Sequence, residues 1–188
     1  MRIIGGVKKG LLLRNPHRGR IRPTSDMMRE AFFNMIPPIE SKVFLDLFAG
    51  TGSVGLEALS RGAAKVVFVE KNRDLARFLQ ETLLRFGFEQ QGQVVCADVK
   101  SGIIQVARMN LRCDYIFIDP PYEEGFITKT VELVAEAAIA APDSWVVIQH
   151  SRRESVVFAE KDYSFERQRV YGDSVLLFLK PAKQRGRN

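Results

Sequence analysis

The sequence predicts an α/β fold: a mostly parallel seven-stranded sheet with helices on both faces, closed by an antiparallel hairpin. Two observations predict it. From Val43 onward, short apolar, β-prone runs alternate with amphipathic stretches long enough to be helices. Near the end, Phe165–Tyr171 and Ser174–Leu179 flank Gly172-Asp173, which is turn chemistry. Alternating β and α elements are the pattern of a parallel sheet whose ligands bind at the carboxyl ends of the strands.

The elements follow in order. Residues 2–14 read as a β-hairpin, with Arg2-Ile3-Ile4 and Leu11-Leu12-Leu13 flanking a turn region rich in Gly and Lys. Asn15 to Pro23 is a polar, Arg-rich loop. A helix starts with Ser25 or Asp26 as its cap and carries an apolar stripe of Met28, Ala31, Phe32, Met35 and Ile36; Pro37-Pro38 ends it. Strands are expected at Val43–Asp46, Lys65–Glu70, Gln93–Cys96, Tyr115–Asp119 and Trp145–Gln149. Helices are expected at Ser53–Arg61, Arg73–Phe86, Ser101–Met109 and Ile127–Ala140, the second with Leu75, Leu79, Thr82, Leu83 and Phe86 on one face.

Composition bounds the class. With 188 residues, 46% hydrophobic and 27% charged, the chain suits one globular domain with a small appendage. No apolar run is long enough to span a membrane, and the N-terminus lacks a signal peptide's apolar core, so a cytoplasmic protein is expected. Cys96 and Cys113 read as small buried hydrophobes, and no Cys/His cluster suggests a metal.

The net charge of +6 is unevenly spread. Residues 1–22 hold Arg2, Lys8, Lys9, Arg14, Arg18, Arg20 and Arg22 without an acid, and four more bases lie at 180–188. The middle of the chain keeps 17 of the 28 basic residues against all 22 acidic ones. A basic arm on an acidic body suits a phosphate backbone, so these seven residues are candidate RNA contacts. His17, in the same loop, is a further candidate for phosphate, whereas His150 reads as structural.

Two motifs carry chemistry. Asp46-Leu47-Phe48-Ala49-Gly50-Thr51-Gly52-Ser53-Val54-Gly55 places G-x-G-x-x-G between a strand and a helix, and Glu70 ends the next strand 20 residues after Gly50. Taken alone this fits a dinucleotide fingerprint, with Glu70 on ribose hydroxyls. Asp46 argues otherwise: a carboxylate there opposes a pyrophosphate but favours the ammonium and sulfonium of S-adenosylmethionine. The run also resembles the first motif of methyltransferases that use that cofactor. Candidate cofactor contacts are therefore Asp46, Phe48, Ala49, Gly50, Gly52, Glu70 and Asp98. The resemblance places Asp98 at the adenine amino group; as a residue type it equally suits a helix N-cap.

The second motif is Asp119-Pro120-Pro121-Tyr122, which closes the fourth strand and resembles the (Asp/Asn)-Pro-Pro-(Tyr/Phe) motif of amino methyltransferases. An exocyclic base amine is a poor nucleophile because its lone pair is delocalised. Asp119 and the Pro120 carbonyl can accept its two N–H bonds and draw the lone pair out of conjugation, while Tyr122 can stack on an extruded base. The residues leave open whether Asp119 takes the proton or only orients the amine.

Arg2–Gly10 (R-I-I-G-G-x-x-K-G) and Arg22–Asn34 (R-P-T-S-D-x-x-R-E-x-x-F-N) resemble the N-terminus of the bacterial small-subunit (16S) rRNA guanine-N2 methyltransferases, the RsmD-like family. The resemblance spans nearly the whole chain. It implies a Rossmann-like methyltransferase fold in which residues 1–40 form a basic RNA-binding arm and cofactor lid, 41–182 the methyltransferase domain and 183–188 a basic tail. It implies methyl transfer from S-adenosylmethionine to a guanine N2 of rRNA, in an assembled or assembling subunit, by a monomer without metal. Thr24, with Arg22 beside it, would fold over the cofactor, and Asp119 would reach both cofactor and substrate. Arg29 is expected to pair with acidic groups. The alternatives are a DNA or other RNA amino methyltransferase, a nicotinamide-dependent oxidoreductase, and a non-catalytic RNA-binding assembly factor.

Overall fold

The computed structural model describes residues 1–13, 26–121 and 125–182. Among these, seven strands form one sheet in the order β3-β2-β1-β4-β5-β7-β6. The strands are β1 (Val43–Leu47), β2 (Lys65–Glu70), β3 (Gly92–Cys96), β4 (Cys113–Ile118), β5 (Ala140–Ser151), β6 (Tyr163–Tyr171) and β7 (Ser174–Pro181). The first five run parallel; β7 lies antiparallel between β5 and β6. The helices are α1 (Asp26–Met35), α2 (Ser53–Ser60), α3 (Arg73–Phe86), α4 (Val99–Arg108) and α5 (Phe126–Ala137). No described helix is long and apolar enough to cross a membrane.

Alternation along the central strands sorts the core into two layers. Phe44, Phe68, Phe117 and Val147 face one side, where Phe32 of α1, Leu59 of α2 and Leu79 of α3 pack on them. Leu45, Val67, Ile116 and Ile148 face the other side, against Ile103 of α4 and Val131 of α5. Phe32 fixes α1 over the centre of the sheet, its ring 5.1 Å from Phe117 and 6.3 Å from Phe44. All five residues expected on the inner face of α3 are buried, and that helix is capped by the Asn72 side chain and stopped by left-handed Gly87.

Three expectations need correction. The stripe of α1 is rotated: Arg29 and Phe33 are buried, while Ala31 and Met35 are only half-buried. Helix α5 stops at Ala137, not Ala140. Ala138 turns left-handed at φ 49°, and Ala140 already pairs with Cys113 as the start of β5. Cys96 is exposed while Cys113 is buried; Cys96 is the last residue of β3, an edge strand of the sheet.

The first 13 residues form the expected hairpin in reduced form. Arg2 bridges Leu12, and Ile3 donates to Leu11 O at 2.9 Å around a 3₁₀ turn at Gly6–Lys8. Ile3 and Leu13 are buried in the layer that holds α1. What docks this arm is the carboxylate of Glu57, wholly buried in α2. It accepts the N–H groups of Ile4 at 2.7 Å and Gly5 at 2.8 Å, and Arg61 Nε at 2.7 Å. Gly6 then passes so close to the end of α2 that a Cβ there would sit 1.7 Å from Ser60 O.

Candidate active site

The carboxyl ends of β1, β2 and β4 bring the predicted acids together. β1 leads through Phe48, at φ 66°, into the glycine loop and α2. Glu70, at the end of β2, ties that loop in place: its Oε2 accepts Gly50 N–H at 2.7 Å and its Oε1 accepts Asn72 N–H at 2.7 Å. Each oxygen keeps lone-pair capacity for a further donor, such as a ribose hydroxyl. Ala49 is fixed by its N–H to Val69 O at 2.9 Å.

The glycines of the loop serve different ends. Gly52 caps α2 at φ 76°, and a Cβ there would lie 2.1 Å from Leu79 Cδ2, so its demand is packing against α3. Gly50 is also left-handed, at φ 56°, yet among the described residues a Cβ there would meet nothing closer than Phe48 O at 4.0 Å. Space therefore lies open in front of Gly50, where a bound molecule can approach the backbone.

Asp46 is buried at 3% exposure and accepts Gly55 N–H from the first turn of α2 at 3.0 Å. Burial pushes its carboxyl up to about 8; the Gly55 hydrogen bond opposes the rise, and the negative charges of Asp119 and Glu70 add to it. Asp119 and Glu70 thus lie within electrostatic reach of Asp46, and a cation brought beside the three carboxyl groups would favour their ionised forms. An ammonium and sulfonium fit such a site, and a pyrophosphate does not. Among the described residues no group of three or more His, Cys, Asp or Glu could hold a metal ion.

Asp98 caps α4, accepting Ser101 N–H at 3.0 Å and Ser101 Oγ–H at 2.7 Å, and these bonds hold its carboxyl below the usual range. It is exposed, so a further donor can reach it. At the end of β4, Asp119 is half-buried, Pro120 buried and Pro121 exposed. Past this loop a cleft of about 430 Å³ opens between Gly125, Ile127 and Thr128 at the start of α5 and Arg153, Glu154 and Ser155 after β5.

Of the arm, Arg2 and Lys9 are exposed. Lys8 is half-buried, its ammonium 5.8 Å from the Phe88 ring. Thr24, Arg14, His17, Arg18, Arg20, Arg22 and Tyr122 lie outside the described residues. His150 is buried at 7% exposure, with Nδ1 2.8 Å from Ser151 O, in agreement with a structural role. Arg29 is fully buried: Nη2 donates to Arg2 O at 2.6 Å and Asp26 Oδ1 at 3.0 Å, and Nε lies 3.9 Å from Glu57. The Glu57 carboxylate was missed. Its signal was an acid amid the apolar residues of Ser53–Ser60, on a helix buried on all sides.

This strand order, with β7 antiparallel between β5 and β6, is that of the Rossmann-like methyltransferases, and a cation-seeking cluster at the strand ends suits that class. The chain belongs to the family described as Conserved hypothetical protein 95, which matches residues 1–180. It is 32% identical over 173 residues to the "Putative rRNA methyltransferase YlbH" of Bacillus subtilis, covering 92% of this chain and 94% of that protein. It is 31% identical over 175 residues to the "Ribosomal RNA small subunit methyltransferase D" of Escherichia coli K12, covering 92% of this chain and 85% of the relative. Among solved structures, the "Putative methyltransferase yhhF from Escherichia coli" superposes with a TM-score of 0.87 at 28% identity, covering 98% of this chain and 99% of that one. The RsmD-like resemblance noted in the sequence therefore holds.

Proposed function

We propose that this protein transfers a methyl group from S-adenosylmethionine to the N2 amine of a guanine in small-subunit ribosomal RNA. The observation that carries the reading is the proximity of Asp46 and Asp119. They end adjacent parallel strands, and the charge of one is felt by the other. A cation-binding group and an amine-accepting group thus meet at a single place. The names of the relatives support ribosomal RNA as the acceptor class.

In this reading Asp46 faces the cationic end of the cofactor, the backbone from Phe48 to Gly52 lines it, and Glu70 and Asp98 accept from its ribose and adenine. When bound, the cofactor supplies a methyl group on a positively charged sulfur. Asp119 and the Pro120 carbonyl accept the amine's N–H bonds and aim its lone pair; buried Pro120 fixes that carbonyl's direction. Tyr122 stacks on the flipped base, which costs little in an RNA loop. Residues 1–40 act as RNA-binding arm and lid over the catalytic body at 41–182, with Arg2, Lys8, Lys9, Arg14, Arg18, Arg20 and Arg22 on phosphates, and 183–188 as a basic tail. The protein acts as a cytoplasmic monomer on an assembled or assembling subunit, without metal. A nicotinamide dinucleotide would set its pyrophosphate against Asp46 and Glu70.

The test is transfer of labelled methyl from S-adenosylmethionine to small subunits lacking the modification, with Asp119→Ala alongside. Label on guanine N2, reduced at least ~100-fold in kcat by the substitution, is expected. Tight cofactor binding with no label on RNA or subunits would send the search to DNA and protein amines, and failure to bind the cofactor would favour the non-catalytic reading.

A further inference from the structure

We infer that Gln149 selects guanine, by accepting the base's N1–H while Asp119 accepts from the neighbouring N2 amine. The inference rests on the acceptor proposed above. Its grounds are register, burial and chemistry. Ile118 of β4 pairs with Ile148 of β5 in parallel register. Continued by one residue, just past the end of β4, this register would set Gln149 next to Asp119. Phe117 and Val147 are together in the layer that holds α1, so alternation turns Asp119 and Gln149 toward that same side. On its other side Gln149 pairs with Leu176, which belongs to that layer as well. Asp46, two residues after Phe44 on β1, belongs to this face too. Gln149 is 5% exposed, a polar side chain held at the carboxyl end of a strand otherwise filled by Val146, Val147 and Ile148.

The residue type suits the task. Guanine presents two adjacent donors on this edge, N1–H and the N2 amine. Adenine presents a bare N1 acceptor beside its amine. Asp119 supplies one acceptor, and the Gln149 carbonyl supplies the next without adding a further negative charge to the three carboxylates already there. A carboxamide set with its oxygen toward the base leaves adenine N1 facing an oxygen lone pair. A site built to receive an N–H rejects a base that lacks it, because its acceptor is then buried and unpaired.

The experiment uses the full chain and reconstituted small subunits whose ribosomal RNA carries either guanine or 2-aminopurine at the methylated position. 2-Aminopurine keeps the amine but has no N1–H. Wild-type protein is expected to favour guanine by roughly ten- to a hundredfold in kcat/KM. Gln149→Met, similar in volume and unable to accept strongly, should bring that ratio to within a fewfold of one, with S-adenosylmethionine affinity unchanged. Gln149→Asn, which keeps a carboxamide acceptor and adds no charge, should retain part of the preference even if the methionine variant is poorly folded. A guanine preference that is the same in wild type and both variants overturns the inference, as does a wild-type ratio near one, which would mean the amide turns to suit either base. Label on adenine, or none on RNA at all, is a different result: it overturns the guanine reading, and this inference falls with it.

Discussion

The carboxylate of Glu57 accepts the backbone N–H of Ile4 at 2.7 Å, across 53 residues of sequence. The same carboxylate faces Arg29 and Arg61, so one buried acid joins the arm, α1 and α2. Glu57→Ala would leave fully buried Arg29 without that charge and two arm N–H groups without acceptors. A loss of about 3–5 kcal/mol is expected, on the scale of breaking a buried ion pair. Arg61→Ala removes a partner that is 23% exposed and should cost about 1 kcal/mol or less. Urea unfolding of the two variants measures the contrast, and limited proteolysis within residues 1–13 shows whether the arm has come away.

Asp46 sets stability against binding. Its folded carboxyl, at about 8, lies above the ordinary 3.8, so its contribution is full below pH 4 and is lost as pH rises through 8. Asp46→Asn keeps an oxygen for Gly55 N–H and removes this penalty. The unliganded variant should gain on the order of 3 kcal/mol over wild type at pH 8, and little at pH 4. A cation prefers the ionised form, so cofactor affinity of the wild type should rise between pH 6 and 7.5, by at most about tenfold per unit, with proton release. Titration calorimetry in two buffers reads both; a flat profile in the wild type would remove Asp46 from the binding role.

Gly50 and Gly52 should separate fold from function. Gly52→Ala forces a Cβ into Leu79 and should destabilise the protein by roughly 1–3 kcal/mol. Gly50→Ala has room and carries only the left-handed penalty, about 1 kcal/mol, but places a methyl in the space that faces the ligand. Its cofactor affinity is expected to fall tenfold or more. Thermal melts with and without S-adenosylmethionine distinguish the two: the Gly50 variant should lose most of the ligand-induced shift.

Much of this was legible in the sequence. Period and turn chemistry located every strand of the sheet, because each central strand is buried on both faces and reads as a solid apolar run. The acids at strand ends were found because they break those runs. Ala137 to Ala141 misled, because alanine marks no boundary when a left-handed residue at Ala138, and not a glycine or proline, turns the chain. Cys96 misled because an apolar run does not reveal that its strand lies at an edge. Glu57 and Arg29 escaped assignment to each other because their pairing depends on how α1 and α2 lie, which no local pattern encodes. Gln149 became a candidate only once the β4–β5 register, continued by one residue, pointed to Asp119 as its neighbour.

The docking of Ile4 and Gly5 onto α2 also fixes an order of events during synthesis. The arm is made about 50 residues before α2, and the N–H groups of Ile4, Gly5 and Lys8 find their acceptors only when Glu57 and Ser60 have been made. At usual elongation rates that interval is roughly 3–10 s. For that time the arm, apolar and positively charged, is without the helix that docks it, beside the ribosome that is making it.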